Sequence, residues 1–242
     1  KQPLIESLRG HWSESGLFSL RQAYELWKTY QTKIAECDKA IEALLRDQSK
    51  GEPPVDGSCA QKPKKLRHNA PEIENLHQML VRMCKGNDPT RIPGITDYSL
   101  LMLISETGTD LERWPTEKAF TAWLGLAPGS HQSGKRKVRV SRQRNRAGRL
   151  FCTLARTLAR SVGKALGGFY RRIRARRGGL IANQALARKL AELYWRTFTK
   201  GTAFVEIGLE AYHRNIQQQQ QRQLVKLAAH LGFELKPLTP VH

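Results

Sequence analysis

The chain has 242 residues, of which 40% are apolar and 7% aromatic, and its 41 Lys and Arg outnumber its 21 Asp and Glu. A net charge of +20 favours a polyanionic partner such as nucleic acid. The absence of a signal peptide and of an apolar run near ~18 residues excludes a membrane-spanning protein and favours a cytoplasmic one. Because the chain begins at Lys1 without a methionine, we expect it to be part of a longer protein.

A long amphipathic helix is predicted from Ser19 onward. Apolar residues recur there at two positions of a heptad repeat, which is the pattern of a coiled coil. The seam consists of Leu20, Ala23, Trp27, Tyr30, Ile34, Cys37, Ile41 and Leu44. Some 30 residues of helix would extend ~45 Å.

A Gly-, Pro- and Ser-rich loop is predicted at 51–70, followed by a second helix at 71–85 with its own apolar spacing. The second helix either folds back along 19–48, or both pair with another copy of the chain. The aromatic Trp27 and Tyr30 argue against an exposed seam.

A Pro-Gly turn at Pro93-Gly94 precedes a helix that Thr96 or Asp97 would cap and Gly108 would close. One interpretation is a helix-hairpin-helix-like turn, in which Gly94 and Thr96 contribute backbone amides that bind phosphate. The alternative is a tight turn that packs Ile92 and Ile95 into the core.

The rest of the chain, from residue 116 onward, is also predicted to be mainly helical. A helix is expected over 116–124, with Phe120, Trp123 and Leu124 facing inward, and a short hairpin over 135–140. From Gly148 onward, Leu150, Phe151, Leu154, Leu158 and Val162 form a buried stripe, with Arg149, Arg156, Arg160 and Lys164 on another face. Breaks are expected at Gly167-Gly168 and Gly178-Gly179, and further helices at 180–200 and 209–231. The predicted fold is all-α: a coiled-coil module at 1–90 and a compact multi-helix domain at 91–242.

The positive charge is concentrated in one segment. No Asp or Glu occurs between Glu117 and Glu192, whereas 118–191 holds 19 Lys and Arg. Its densest part follows Pro128-Gly129 and contains Lys135, Arg136, Lys137, Arg139, Arg142, Arg144, Arg146 and Arg149. Together with Arg156 and Arg160, these residues are the predicted nucleic-acid contacts, because each neutralised phosphate releases counterions.

The residues restrict the possible chemistry. The acid-free segment argues against a two-metal nuclease within this chain. The histidines show no ligand spacing, and the cysteines Cys37, Cys59, Cys84 and Cys152 form no CxxC pair, so we expect buried, reduced thiols and no metal site. The remaining candidate for a catalytic group is a serine hydroxyl that lies among cations. Ser133 precedes Gly134 and a Lys-Arg-Lys run, although a serine in such a loop is more commonly a simple phosphate hydrogen-bond donor.

Four stretches in order, IPGITDYSLLMLISETG, AFTAWLGLAPGSHQSGKRK, RNRAG and RKLAELYWRTFTKGTAF, resemble the carboxy-terminal transposase domain of the insertion-sequence one-ten family. These proteins are bridge-RNA-guided DNA recombinases of prokaryotes, and the resemblance extends from about Arg91 to Val205. It implies that Ser133 is the nucleophile and that the protein is nucleoid-associated. It also implies double-stranded donor and target DNA, a guide RNA, and dimers or tetramers formed through the coiled coil.

The family also carries an amino-terminal RuvC-like domain with a DEDD carboxylate set, which this sequence lacks. The resemblance therefore implies no cofactor in this chain and places Mg²⁺ on that other domain. An enzyme of this kind would not act through this chain alone. The alternative function is a non-catalytic DNA- or RNA-binding module, and a ribosome- or RNA-associated structural protein is a third possibility.

Overall fold

The computed structural model describes residues 10, 12–50, 70–128, 131–133, 136–138, 143–161 and 165–233. These residues form eight α-helices, one 3₁₀ turn and one two-stranded hairpin, so the all-α prediction is confirmed. The helices are α1 (Glu14–Gln48), α2 (Leu76–Met83), α3 (Asp97–Thr107), α4 (Glu117–Trp123), α5 (Arg146–Ala159), α6 (Ala165–Arg177), α7 (Gly179–Lys200) and α8 (Thr202–His230). The 3₁₀ turn is Pro89–Arg91, and the strands are β1 (His131–Ser133) and β2 (Arg136–Val138).

Helix α1 confirms the predicted long helix and begins where Ser13 Oγ accepts a hydrogen bond from the Gly16 amide at 3.2 Å. Only its carboxy-terminal end joins the core, through the buried Leu45. The expectation of a covered seam is wrong for the single chain, in which Trp27 is 54% and Tyr30 59% exposed. The reason is that α2 has only eight residues and reaches no further than the end of α1.

Helix α7 is the centre of the core, and it packs against α4, α5, α6 and α8. Leu186, Leu190 and Tyr194 are fully buried, as the periodicity of 180–200 predicted. The ring of Tyr194 makes an edge contact with Phe151 of α5, with centroids 5.6 Å apart. Leu45 and Leu80 belong to the same core cluster, and the division of the chain at residue 90 stays a prediction.

The predicted break at Gly167-Gly168 is wrong, because α6 runs through both residues. Residue 167 is instead a point of close approach: a Cβ atom there would lie 2.3 Å from the carbonyl oxygen of Ser161. The predicted break at Gly178 is confirmed. Gly178 has φ +82°, a conformation that favours glycine, and it separates α6 from α7.

Several smaller predictions are corrected. Trp123 is 42% exposed instead of buried, because α4 ends there and the ring rests on Trp114. Cys37 is exposed on α1, whereas Cys84 and Cys152 are buried as expected. Helix α8 begins at Thr202, earlier than the predicted 209. The hairpin pairs 131–133 with 136–138, a few residues before the predicted 135–140.

Other predictions fall outside the described residues. They concern the loop at 51–70 almost entirely, Cys59, Val162, Lys164 and the end of the chain. Among the helices that the structure describes, none is both long and apolar enough to cross a membrane.

Candidate nucleic-acid interface

The basic segment leaves the helical core after residue 125 and returns to it at residue 143. We call the place where these two ends pack together, residues 124–125 and 143–148, the neck. Gly125 has φ +71°, and a Cβ atom there would lie 2.7 Å from the carbonyl oxygen of Gln143. The side chain of Asn145 joins the start of α5 to the end of α4. Its Oδ1 accepts from the Gly148 amide at 2.8 Å, and its Nδ2 donates to the Trp123 carbonyl at 3.2 Å. The segment between is therefore anchored at both ends to the junction of α4 and α5.

Beyond the neck the chain forms the β1–β2 hairpin. The strands are antiparallel, with His131 opposite Val138, Gln132 opposite Lys137 and Ser133 opposite Arg136. Ser133 is the last residue of β1, and Arg136 is the first of β2. The backbone thus places the predicted nucleophile and a predicted phosphate-binding cation at paired positions.

The other predicted cations fall into two groups. Lys135, Arg139 and Arg142 lie outside the described residues, and Arg136 and Lys137 are placed by the backbone of β2. Arg144, Arg146, Arg149, Arg156 and Arg160 are all described and all exposed. The predicted cations that the structure places therefore lie on the hairpin, on α5, or directly next to the ends of α5.

The exposed face of α5 presents a cationic stripe. Arg149, Arg156 and Arg160 are separated by seven and four residues, which sets all three on one side of the helix over ~16 Å. Phe151, Leu154 and Leu158 lie on the opposite, buried side, as the sequence predicted. This stripe starts at the neck and runs along the helix away from the hairpin.

Three arginines at the neck make polar contacts within the chain. Arg146 Nε is 3.2 Å from Glu106 Oε1, which offsets part of its charge. Arg149 Nε lies 3.4 Å from the Arg144 carbonyl oxygen, and Arg144 Nη2 lies 3.4 Å from Gln184 Oε1 of α7. The contact with Gln184 places the beginning of α7 beside the neck.

The acids nearest in sequence to the basic segment are paired elsewhere. Glu117 is bound by the guanidinium of Arg196, which donates from Nη2 at 2.7 Å and from Nε. These hydrogen bonds lower the pKa of Glu117 and raise that of Arg196. Glu192 lies 3.0 Å from Arg188 Nε. Both carboxylates are thus neutralised by core-side arginines rather than by the arginines of the hairpin and α5.

The turn at 92–96 has the geometry of a core turn. Ile92 and Ile95 are buried, and Gly94, with φ +98°, packs against the side chain of Leu158. The Thr96 amide donates to Ser99 Oγ at 2.7 Å within a capping box at the start of α3. That amide already has an acceptor, which favours the second interpretation of the turn; phosphate binding by Gly94 and Thr96 stays a prediction.

The structure adds a group of cations that the sequence reasoning did not assign. Helix α6 carries Arg171, Arg172, Arg174, Arg176 and Arg177, all exposed. The string RRIRARR was the available signal, and it was taken only as a continuation of the helix. Its exposure on nearly all sides could not be seen before the packing of α6 was known.

The described residues contain no group of three or more His, Cys, Asp or Glu side chains that could hold a metal ion. The resemblance places Mg²⁺ on the separate DEDD domain, and that placement stays a prediction.

Comparison with known protein families matches residues 90–171 to the Transposase IS116/IS110/IS902 family. Neither the search of curated proteins nor the search of solved structures gave a match. The matched residues extend from the core turn through the neck, the hairpin and the stripe on α5 into α6. Residues 90–171 of this chain are therefore a transposase domain of the IS116/IS110/IS902 family.

Proposed function

We propose that this chain is the serine-bearing part of a DNA transposase that cleaves and rejoins DNA through Ser133. The observation that carries the proposal is the register of the hairpin, in which Ser133 ends β1 opposite Arg136. The hairpin lies inside the matched transposase domain and inside a 74-residue stretch, 118–191, without an acid. A hydroxyl at that place would meet the phosphate backbone within the most cation-rich segment of the chain.

The reaction exchanges one phosphodiester for another. Ser133 Oγ attacks the phosphorus and loses its proton to a base, while the 3′ oxygen of the DNA leaves and is protonated. The product is a 5′-phosphoserine and a free 3′-hydroxyl. A 3′-hydroxyl from the second DNA then attacks the phosphoserine and restores Ser133. Each step replaces one P–O bond by another, so no external energy source is required.

The cations supply the second requirement of this chemistry. Negative charge accumulates on the non-bridging oxygens in the transition state, and guanidinium and ammonium groups stabilise it. Arg136 is the nearest by strand register. The remaining predicted cations bind phosphates along the DNA: Lys135, Lys137, Arg139, Arg142, Arg144, Arg146, Arg149, Arg156 and Arg160.

The resemblance extends the proposal to partners. A guide RNA would pair with donor and target DNA, and α1 would join copies of the chain through its exposed seam, giving a dimer or tetramer. A composite site would combine Ser133 of one copy with the Mg²⁺-binding carboxylates of a DEDD domain. The support within this structure is the apolar seam itself, which the single chain leaves exposed.

The test is Ser133→Ala in the complete enzyme, assayed for strand exchange and for a covalent protein–DNA adduct on denaturing gels. We expect both to be lost while DNA affinity changes less than about twofold, because one neutral hydroxyl contributes little to polyanion binding. Ser130→Ala is the matched control, since it removes a hydroxyl from the same segment, and it should retain the adduct. Persistence of exchange in Ser133→Ala would show that the serine assignment is wrong.

The same experiment distinguishes the catalytic function from the non-catalytic alternative. A module that only clamps DNA or RNA would bind with a steep salt dependence but give no adduct with the unaltered enzyme. A salt titration alone does not separate the two functions, because both predict a steep slope.

A further inference from the structure

We infer that the corner between α6 and α7 is a second DNA-binding element, in which Leu180 is inserted between base pairs of duplex DNA as an apolar wedge. This surface lies outside the Ser133 hairpin and outside the stripe on α5. It consists of the exposed arginines of α6, the Gly178-Gly179 turn, and Leu180 at the start of α7.

The exposure of Leu180 is the first observation. Its side chain is 86% exposed, more than any other large apolar side chain that the structure describes. Ile181 beside it is 43% exposed, whereas Ala182 is fully buried against the core. Residue 180 is therefore held outward by a rigid, packed helix turn and not by a loose end of the chain. An apolar group presented in this way gains free energy only when a partner covers it.

The charge around Leu180 identifies the partner. Five arginines occur between 171 and 177, all exposed, and the nearest acid in sequence, Glu192, is paired with Arg188. Arg171 also donates to the Ser161 carbonyl at 3.2 Å, which leaves four arginines near the carboxy-terminal end of α6 and the corner. An exposed apolar side chain next to a run of arginines is the combination with which proteins unstack and kink DNA from the minor groove.

The position of the corner relative to the neck supports the same partner. Gln184 lies one helical turn after Leu180, ~6 Å along α7, and its side chain is 3.4 Å from Arg144 at the foot of the hairpin. The corner therefore continues the cationic surface of the neck. A duplex bound at the hairpin would extend across the beginning of α7 and reach Leu180.

The backbone conformation of Gly178 makes the corner between α6 and α7 project into solvent. Its φ of +82° turns the chain sharply between α6 and α7, and a Cβ atom there would meet no atom within 4 Å. The space around the turn is open to solvent, so a DNA backbone can approach it without displacing protein.

The experiment compares Leu180→Ala with Leu224→Ala in the 242-residue chain. Leu224 is 55% exposed on α8 and serves as the matched control. Fluorescence anisotropy gives the affinity for a duplex, and energy transfer between dyes at its ends reports bending. We expect Leu180→Ala to bind about tenfold more weakly and to lose the bend, and Leu224→Ala to keep both. Equal bending by the two variants would overturn the proposal.

A second pair of variants tests the arginines. Arg174→Gln/Arg176→Gln/Arg177→Gln should lower the slope of log K against log salt by about 2.7, at ~0.9 per phosphate contact. The control Arg214→Gln/Arg222→Gln/Lys226→Gln removes the same charge from exposed positions of α8 and should leave the slope nearly unchanged. If the two triple variants behave alike, the corner is not a DNA contact.

Two further outcomes identify a different partner. Bending of duplex RNA but not of duplex DNA would overturn the assignment to DNA. Leu180-dependent binding to phosphatidylserine vesicles, without Leu180-dependent bending of DNA, would overturn it in favour of a lipid surface. Failure of the Ser133 proposal can be distinguished from failure of the Leu180 proposal, because Ser133→Ala should bend DNA like the unaltered chain.

Discussion

Gly148 lies against the backbone of Leu124 so closely that a Cβ atom at position 148 would be 2.1 Å from the Leu124 carbonyl oxygen. The first turn of α5 and the last turn of α4 can approach in this way only because residue 148 has no side chain. This contact closes the neck from which the Ser133 hairpin extends. The geometry of the candidate site therefore depends on a glycine that touches no substrate.

Gly148→Ala should destabilise the protein by about 1–3 kcal/mol, because the added methyl group pushes apart two helices that are in backbone contact. Urea unfolding with an unchanged m-value would measure this loss. Gly168→Ala is the control: residue 168 is inside α6 with nothing within 4 Å, so alanine should stabilise by about 0.5–1 kcal/mol. A stable Gly148→Ala would mean that the neck is looser than described.

The Glu117–Arg196 ion pair predicts a pH dependence of stability. The hydrogen bond from Arg196 lowers the pKa of Glu117 below its ordinary value of 4.5. Because the pKa is lower in the folded state, the stabilisation is complete above pH 4.5 and is lost as the pH falls through the lowered value. Glu117→Gln should cost about 1 kcal/mol at neutral pH and flatten the dependence below pH 4.5.

The measurement for this pair is the urea midpoint as a function of pH, for the unaltered chain and for Glu117→Gln. Glu112→Gln is the control, since Glu112 is exposed nearby and should leave the pH profile unchanged. If the profile of Glu117→Gln matches that of the unaltered chain, another carboxylate is responsible for the acid dependence.

The thiols should differ sharply in reactivity. Burial, with a contribution from Asp88, raises the pKa of Cys84 to about 12, and burial also raises the pKa of Cys152. In a Cys59→Ser background at pH 8, only Cys37 should react with a thiol-specific disulfide reagent before unfolding, and all three thiols should react afterwards. With Cys37→Ser added, the fast reaction should disappear; a fast reaction that remained would indicate that α5 or the end of α2 opens readily.

The exposed seam of α1 should mediate self-association. Ile34→Asp places a charge in the middle of the seam and should shift the protein towards monomer in sedimentation equilibrium, with helix content retained by circular dichroism. Thr32→Asp places the same charge on the outer side of the helix and should leave the association unchanged. A monomeric unaltered chain at micromolar concentration would contradict the proposal that α1 joins copies of the chain.

Much of the fold was predictable because it depends on spacing along one helix. The apolar periodicity of Leu186, Leu190 and Tyr194 predicted the buried side of α7, and the spacing of Arg149 and Arg156 predicted an exposed stripe on α5. Both follow from the 3.6-residue period of the helix, which needs no knowledge of neighbours.

The wrong predictions share a different physical cause. Gly167 was taken as a helix break, but it is a helical residue that lies against the Ser161 carbonyl. Trp123 was taken as a core residue, but α4 ends there and Trp123 is 42% exposed. In both cases the outcome depends on which backbone or ring comes near, and sequence spacing carries no information about that.

The sequence by itself determined an all-helical protein with one concentrated cationic segment, because helix period and net charge are properties of the chain. Only the tertiary structure decided that the segment leaves the core through a neck at Gly125 and Gly148, and that Ser133 is paired with Arg136. It alone also decided that Leu180, which follows the arginine-rich end of α6, stands exposed. The neck joins residues that are distant in sequence, and the register of the hairpin and the exposure of Leu180 depend on how neighbouring segments turn and pack; none of these follows from spacing along a single helix.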